Sequence, residues 1–281
     1  STQETTSRDQ YTLRQILGIW ALVALPMALL AWVVAPAVIP YSPLHPGITF
    51  WLLMIAGMAW QFLVSLVIMY RELGTLRWST IRQRTWLQTP RDPKTDQPNP
   101  KLYWWLVPVL LYDALVGMVL AGFLDAPMAW LFPAMKPIEM NQMMTPEFQG
   151  QWWLLGVVLV SHLFNYFLGE EFLFRGVLLP RMQGVFGKYD WVANAVLFGF
   201  YHLHKPWALP SIIATNLAYS WPARRFRSWC SAGIACARWP RPRRSASSAR
   251  PPSRGSPASR SRATSSPPGS SMATSAPGRC P

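Results

Sequence analysis

Two long apolar runs constrain the fold of this chain more than any other feature. Residues 16–39 and 48–70 contain no charged side chain, and each run exceeds the roughly 20 residues that an α-helix needs to cross a bilayer core. Over the whole chain 51% of residues are hydrophobic and 14% are charged, against roughly 25% charged in an ordinary soluble domain. These features exclude an average soluble enzyme. They predict an all-α fold, a polytopic transmembrane helical bundle.

Four further apolar segments extend the predicted bundle to six spans. The third span contains a single charged residue, the fourth contains four, of which Arg181 lies at its end, and the last two spans are short. These segments are residues 102–124, 152–182, 191–202 and 208–221. The bundle therefore occupies residues 1–221 and the lipid bilayer is its first expected partner.

The distribution of Lys and Arg predicts how the bundle is oriented. The link at residues 71–101 carries seven basic side chains, whereas the link at residues 41–47 carries none. Because cytoplasmic links of membrane proteins are enriched in Lys and Arg, the longer link and the N-terminus are predicted to be cytoplasmic. We expect a multi-pass protein of the cell membrane, and so compact a chain favours a bacterial inner membrane.

The composition changes abruptly after Trp221. Residues 222–281 hold 12 Arg and no Lys, Asp or Glu, whereas residues 1–221 carry 14 basic and 12 acidic side chains. The formal net charge of +14 therefore comes mainly from this segment. With so few apolar residues it cannot bury a core. We predict a second region at residues 222–281, a disordered C-terminal tail rich in Arg, Ser and Pro.

Two explanations of the tail compete. A natural basic tail would bind anionic lipid or nucleic acid. Alternatively, the tail is translated in a shifted reading frame, because Arg, Ser, Pro, Ala and Gly are the residues that GC-rich DNA tends to encode when read out of frame. The switch follows a membrane span without a linker, which favours the shifted frame. No nucleic-acid partner is therefore expected.

Charged side chains inside the fourth predicted span indicate a functional site. A charge near the bilayer centre costs at least about 2.5–3.5 kcal/mol on insertion scales, so it tends to face the bundle interior. Glu171 and Arg175 are four residues apart and can pair on one helix face. Glu170 is turned about 100° away on an α-helix and is free for chemistry. A purely structural ion pair is the competing interpretation of Glu171 and Arg175.

A histidine in the fifth predicted span lies at a matching depth. Glu171 precedes Met182 by 11 residues and His202 follows Trp191 by 11 residues, so both lie about 17 Å from the turn of an antiparallel hairpin. A carboxylate and an imidazole that meet in a buried cavity could activate water directly or as ligands of zinc. His202 alone would be interpreted as a core histidine, and its combination with the charged motif favours a site.

Other polar residues in these spans are interpreted as helix-packing groups. His162 and Asn165 precede the charged motif in the fourth span, and Asn194 precedes His202 in the fifth. Asp113 in the third span and Asn216 in the sixth are given no catalytic role. Interhelical hydrogen bonds explain such residues in membrane bundles.

The pattern Glu170-Glu171-x-x-x-Arg175 followed by Phe198-x-x-x-His202 resembles the first two motifs of the CPBP intramembrane protease family, also called the Abi family. The resemblance covers about residues 150–220. That family includes type II CAAX prenyl proteases and bacteriocin-processing or immunity proteins.

The resemblance implies a membrane-embedded endopeptidase that cleaves a peptide bond at or within the membrane. It assigns the activation of water to Glu170 and His202, with or without a zinc ion held by these two residues, and it makes Glu171 and Arg175 the supporting pair. The implied substrate is a peptide or protein near the membrane, with or without a prenyl group.

The chain departs from the family in its last motif, a histidine followed by an asparagine or similar residue on a later span. No histidine follows His204. The departure supports a shifted reading frame and implies that the activity of this chain is impaired without this element. A non-catalytic membrane scaffold or a bacteriocin-immunity-type binding protein of the same fold is the alternative function. A rhomboid-type serine nucleophile motif and the His-Glu-x-x-His motif are both absent from the sequence.

Overall fold

A computed structural model describes residues 10–131 and 148–228 of the chain. All of these residues belong to the first of two units into which the chain divides, Ser1–Trp239 and Pro240–Pro281. The described residues form helices and contain no strand, apart from an isolated antiparallel bridge between Arg91 and Pro98. The predicted all-α class is confirmed, while most of the predicted tail lies outside the described residues.

Three helices in the described part of the chain are long and apolar enough to cross a membrane. They are α1 (Leu13–Tyr41), α2 (Pro46–Leu73) and α4 (Pro100–Leu131), with the short helix α3 (Trp78–Arg84) between the last two. Large apolar side chains point outward from them, and Met118 and Phe123 are more than 80% exposed. Such a surface is suited to lipid rather than water, which agrees with the predicted membrane bundle.

The ends of the first two long helices follow from local sequence. The Thr12 side chain accepts a hydrogen bond from the Gln15 amide while the Gln15 side chain accepts one from the Thr12 amide, so a capping box starts α1. Helix α2 ends where Gly74 adopts a left-handed conformation with φ of 64°, which glycine tolerates without a steric penalty. The predicted first and second spans therefore correspond to α1 and α2.

The fourth predicted span is helical but is not one continuous α-helix. It begins as α5 (Trp153–Leu163) and continues as two π-helical segments, Phe164–Leu168 and Phe172–Leu178, before a 3₁₀ turn at Leu179–Arg181. Gly169 lies between the π-helical segments, and its amide donates to the Phe164 carbonyl at 2.7 Å. The charged motif therefore lies where the helix changes its pitch.

The last described helices form a hairpin with the π-helical segments. Helix α6 (Gln183–Phe186) and the 3₁₀ turn Gly187–Tyr189 lead into α7 (Asp190–Tyr201), and a second 3₁₀ turn at Pro206–Ala208 leads into α8 (Leu209–Phe226). Helices α7 and α8 pack closely along their lengths. Gly199 permits this approach because an added Cβ would collide with the Ile213 side chain.

Helix α8 extends five residues beyond Trp221, the predicted end of the first domain. Ala223 and Phe226 are buried, and Arg224 pairs with the Asp190 carboxylate at 2.5 Å. The boundary between the two predicted domains itself stays a prediction.

The packing of the bundle places the charged motif at its centre. Helix α1 packs against α2 and α7, helix α2 packs against both π-helical segments, and α8 packs against α4. Every residue of the segment Phe172–Leu178 is buried. The side chains of the motif are therefore held on all sides by other elements.

Candidate active site

Glu170 and His202 meet inside the bundle. The Glu170 Oε1 atom lies 3.7 Å from the His202 Nε2 atom, and both residues are buried. This distance is longer than a direct hydrogen bond, and a water molecule placed to one side of the pair can contact both atoms. The equal distances of Glu171 and His202 from the hairpin turn predicted that these two residues would meet, whereas the structure places Glu170 next to the imidazole.

The imidazole of His202 is oriented by the backbone of its own helix. Its Nδ1 atom lies 2.9 Å from the Phe198 carbonyl oxygen. A carbonyl oxygen can only accept, so Nδ1 carries the proton of the neutral ring and Nε2 presents a lone pair toward Glu170. The final turn of α7 therefore sets which imidazole nitrogen faces the glutamate.

Asn165 holds the carboxylate of Glu170. With the nitrogen of its amide facing Glu170, Asn165 donates to the two carboxylate oxygens at 2.9 Å and 3.3 Å. The opposite orientation would place the amide oxygen against two other acceptors, so the nitrogen faces the carboxylate. Sequence analysis interpreted Asn165 as a packing residue and missed this contact.

Glu171 and Arg175 form the ion pair that their spacing predicted. The Arg175 Nη1 atom lies 3.2 Å from Glu171 Oε1, and the arginine is fully buried. The guanidinium also donates to the Asn216 side-chain oxygen on α8 and lies 4.3 Å from the centre of the Phe198 ring. Arg175 therefore joins the motif to α7 and α8.

Two asparagines that the sequence left without a catalytic role connect the helices behind the site. Asn194 donates to the Phe174 carbonyl at 2.7 Å and accepts from the Ser220 hydroxyl at 3.2 Å. Asn216 accepts from Arg175 as described above and donates to Ile212 on its own helix. These bonds fit the predicted packing role of Asn194, whereas Asn216 also supports the motif arginine.

Both glutamates line a cavity of about 660 Å³. Its walls are mostly apolar, and the two glutamates are among its polar lining residues. The lining residues are Leu110, Asp113, Leu159, His162, Leu163, Asn165, Phe167, Glu170, Glu171, Phe198, Thr215, Asn216 and Tyr219. A cavity of this size and character suits an extended apolar ligand with one reactive polar bond.

His204 and His162 are two further histidines near the site. The His204 ring centre is 5.2 Å from that of His202, and the His162 Nδ1 atom lies 2.8 Å from the Val158 carbonyl on its own helix. Among the described residues no three His, Cys, Asp or Glu side chains form a group that could hold a metal ion. Catalytic zinc sites use three protein ligands, so the described side chains do not fit such a site.

The fold and the site together define a helical membrane protein in which a buried carboxylate lines a mostly apolar cavity and a buried histidine lies 3.7 Å from that carboxylate. Residues 150–237 match the family model for type II CAAX prenyl endopeptidases of the Rce1-like kind. This segment contains both motifs, and the match over these residues supports the family that those motifs predicted. No curated protein and no solved structure matches the chain.

Proposed function

We propose that this protein is an intramembrane endopeptidase in which Glu170 and His202 activate a water molecule. The observation that carries the proposal is the 3.7 Å approach of Glu170 Oε1 to His202 Nε2 beside the cavity. Both atoms are acceptors when the carboxylate is ionised and the imidazole is neutral. One water can donate a hydrogen to each of them and keep its lone pairs directed at a substrate carbonyl.

The reaction that follows from this geometry is base-assisted hydrolysis. The water oxygen bonds to the carbonyl carbon while one water proton passes to Glu170, which gives a tetrahedral intermediate. The carbon–nitrogen bond then breaks, and the leaving amine takes the proton from Glu170, so that the carboxylate is regenerated. Asn165 fixes the direction of the carboxylate, and the Phe198 carbonyl fixes that of the imidazole.

We propose that oxyanion binding is the contribution that this chain lacks. Arg175 is engaged with Glu171 and Asn216, and the family resemblance assigns this task to the third motif. One missing oxyanion donor costs about 10²–10³ in the rate of acyl-transfer enzymes. We therefore expect slow cleavage by the chain as it stands.

We propose that the substrate places an apolar group along the cavity wall and its scissile bond at Glu170. Leu110, Leu159, Leu163 and Phe167 supply that wall. A prenyl group on the substrate would fit such a surface, and so would an apolar peptide side chain. The substrate reaches the cavity from the bilayer or its surface.

Cleavage by the full chain in liposomes tests the proposal. The probes are a quenched fluorescent peptide ending in a farnesylated Cys-aliphatic-aliphatic-Met sequence and the same peptide without the farnesyl group. The variants are Glu170→Gln and the matched control Asp92→Asn, which changes an exposed carboxylate and keeps a side-chain oxygen for the Lys94 and Thr95 amides. We expect slow cleavage by the wild type and the control, and a loss of at least about 10²-fold in Glu170→Gln.

Equal rates in the wild type and Glu170→Gln would contradict the proposal. A wild type that binds the farnesylated peptide without cleaving it would favour the non-catalytic scaffold instead. Adding a chelator distinguishes water activation with a zinc ion from water activation without one, both of which the resemblance allows. A rate that falls on chelation and recovers with zinc would show that a metal ligand comes from outside the described residues.

A further inference from the structure

A second cavity of about 460 Å³ lies where three segments meet. It shares no lining residue with the cavity of the candidate active site. The segments are the loop after α3, the turn before α7 and the end of α8. The backbone amide of Arg91 donates to the Phe226 carbonyl at 2.9 Å, and the Ser228 hydroxyl donates to the Gln88 carbonyl at 2.6 Å. The walls of this cavity are therefore tied to each other.

Five cationic side chains line the cavity: Arg91, Lys188, Arg224, Arg225 and Arg227. Asp92 and Asp96 are its acidic lining residues, and Asp190 lies beneath Arg224. The cations outnumber these carboxylates, so the cavity carries an excess of positive charge.

The carboxylates already form hydrogen bonds or ion pairs with other groups of the protein. Asp96 accepts from Arg91 at 3.0 Å and lies 3.4 Å from Arg227, and the bond from Arg91 lowers the pKa of Asp96. The amides of Lys94 and Thr95 donate to Asp92, and these bonds lower the pKa of that carboxyl. Both groups are therefore charged at neutral pH and still leave the cavity cationic.

Two of the cations are available to a ligand. Arg225 and Lys188 are exposed, and neither has an ion-pair partner within the part of the chain that the structure describes. The Lys188 Nζ atom lies 5.0 Å from the centre of the Tyr189 ring, and an ammonium group has three N–H donors to offer a ligand. Arginine and lysine together are the side chains that proteins use to hold a phosphate group.

The position of the cavity indicates where that phosphate comes from. Trp191 lies in the first turn of α7 and Trp221 lies near the end of α8, and both line the cavity. Tryptophan is enriched at the level of lipid headgroups, and basic pockets between membrane helices bind anionic headgroups. We infer that this cavity binds the phosphate of an anionic lipid headgroup through Arg225 and Lys188. The inference does not depend on the proposed peptidase activity.

Binding of short-chain lipids to the purified full chain in a nonionic detergent tests the inference. The probes are dihexanoyl phosphatidylglycerol, dihexanoyl phosphatidylcholine and inorganic phosphate, each followed by native mass spectrometry and by the shift of the unfolding midpoint. The test variant is Lys188→Gln/Arg225→Gln. The control Arg71→Gln/Arg77→Gln removes the same charge from exposed positions outside the cavity.

We expect the wild type and the control to bind phosphatidylglycerol about 30-fold more tightly than the test variant does, from the loss of two cations near the membrane surface. Inorganic phosphate that competes only weakly would identify a lipid headgroup, and phosphate that binds as tightly as the lipid would identify a free phosphate site of the same chemistry. Equal binding by the test variant and the control, or equal binding of the zwitterionic lipid, would overturn the inference. Matching unfolding midpoints without ligand show that both variants are folded.

Discussion

Two adjacent glutamates acquire different roles because their side chains leave the helix in different directions. Glu171 faces Arg175 at 3.2 Å, and that ion pair is buried among α7 and α8. Glu170 faces His202 and Asn165 beside the cavity. Since a buried arginine without its carboxylate would be an uncompensated charge, Glu171 is the residue that keeps the motif folded. Glu170 is the residue that can exchange a proton.

The contact between Asn165 and Glu170 leads to a prediction at this scale. We expect Asn165→Leu to lower kcat about tenfold with little change in KM, because the carboxylate loses its two donors while the cavity wall keeps its shape. We expect Asn165→Asp to lower kcat further, since a second carboxylate would repel Glu170. Cleavage of the farnesylated peptide in liposomes measures both constants.

A matched control separates this role from a structural one. His162→Gln changes another polar residue of the cavity wall, whose Nδ1 atom lies 2.8 Å from the Val158 carbonyl oxygen of its own helix, and we expect it to leave kcat within about twofold. The same kcat in Asn165→Leu as in the wild type, or a KM that rises while kcat holds, would show that Asn165 does not position Glu170.

Sequence patterns predicted part of this site and missed the rest for a geometric reason. The Glu171–Arg175 pair follows from a spacing of four, which brings side chains together on a regular helix. Asn165 and Glu170 are five residues apart and would lie about 140° apart on an α-helix at 100° per residue. They meet because the chain between them is π-helical, and apolar composition does not reveal that change of pitch. Asn216 lies on a separate helix, so no local pattern could have paired it with Arg175.

At the scale of elements, the break in the fourth span determines how the motif is presented. Gly169 has φ and ψ both near −90° and lies against Phe164 and Met58. A Cβ at this position would come within 2.7 Å of the Phe164 carbonyl oxygen and 3.4 Å of Met58. Single-turn π-helical features are frequent at functional sites. The glycine therefore permits the change of pitch that brings Glu170 to Asn165.

We expect Gly169→Ala to lower the free energy of unfolding by about 1–3 kcal/mol, because backbone rather than a flexible side chain must move. We also expect it to slow peptide cleavage, since Glu170 is the next residue. The unfolding midpoint of the purified protein in detergent measures the first effect.

Gly156 provides the control for this substitution within the same predicted span. It lies in α5 and an added Cβ would have no neighbour within 4 Å. Replacing an exposed helical glycine by alanine typically gains about 0.8–1.0 kcal/mol, so we expect Gly156→Ala to be neutral or stabilising. Equal destabilisation by both substitutions would show that helix propensity, and not the close approach at Gly169, governs the result.

At the scale of the whole molecule, the first three predicted spans match long apolar helices, and the last three are shorter and packed around the motif. Composition predicted the long spans well because bilayer thickness fixes their length. The domain boundary that composition places at Trp221 stays a prediction, and the packing of the described residues continues to Ser228. Two arginines at the end of α8 looked like the start of the tail, although Arg224 is paired with Asp190.

This packing refines the prediction of a shifted reading frame. Residues that pair and pack with the rest of the bundle are expected to be in the correct frame, so we expect any change of frame to follow codon 228. Sequencing the coding DNA through codons 215–240 and translating all three frames is the measurement. We expect another frame to open there into apolar residues with a histidine followed by an asparagine or similar residue. No such frame would show that the basic tail is natural and would favour the scaffold function.

The central claim of this account is that Glu170 and His202 act together on one water. The most direct test is a double-mutant comparison of kcat/KM for the farnesylated peptide, using Glu170→Gln, His202→Gln and the combined variant. Residues that act as a unit give non-additive losses. We expect each single variant to lose at least about 10²-fold and the combined variant to lose no more than the worse single one. Losses that multiply, or a His202→Gln variant as active as the wild type, would contradict the claim.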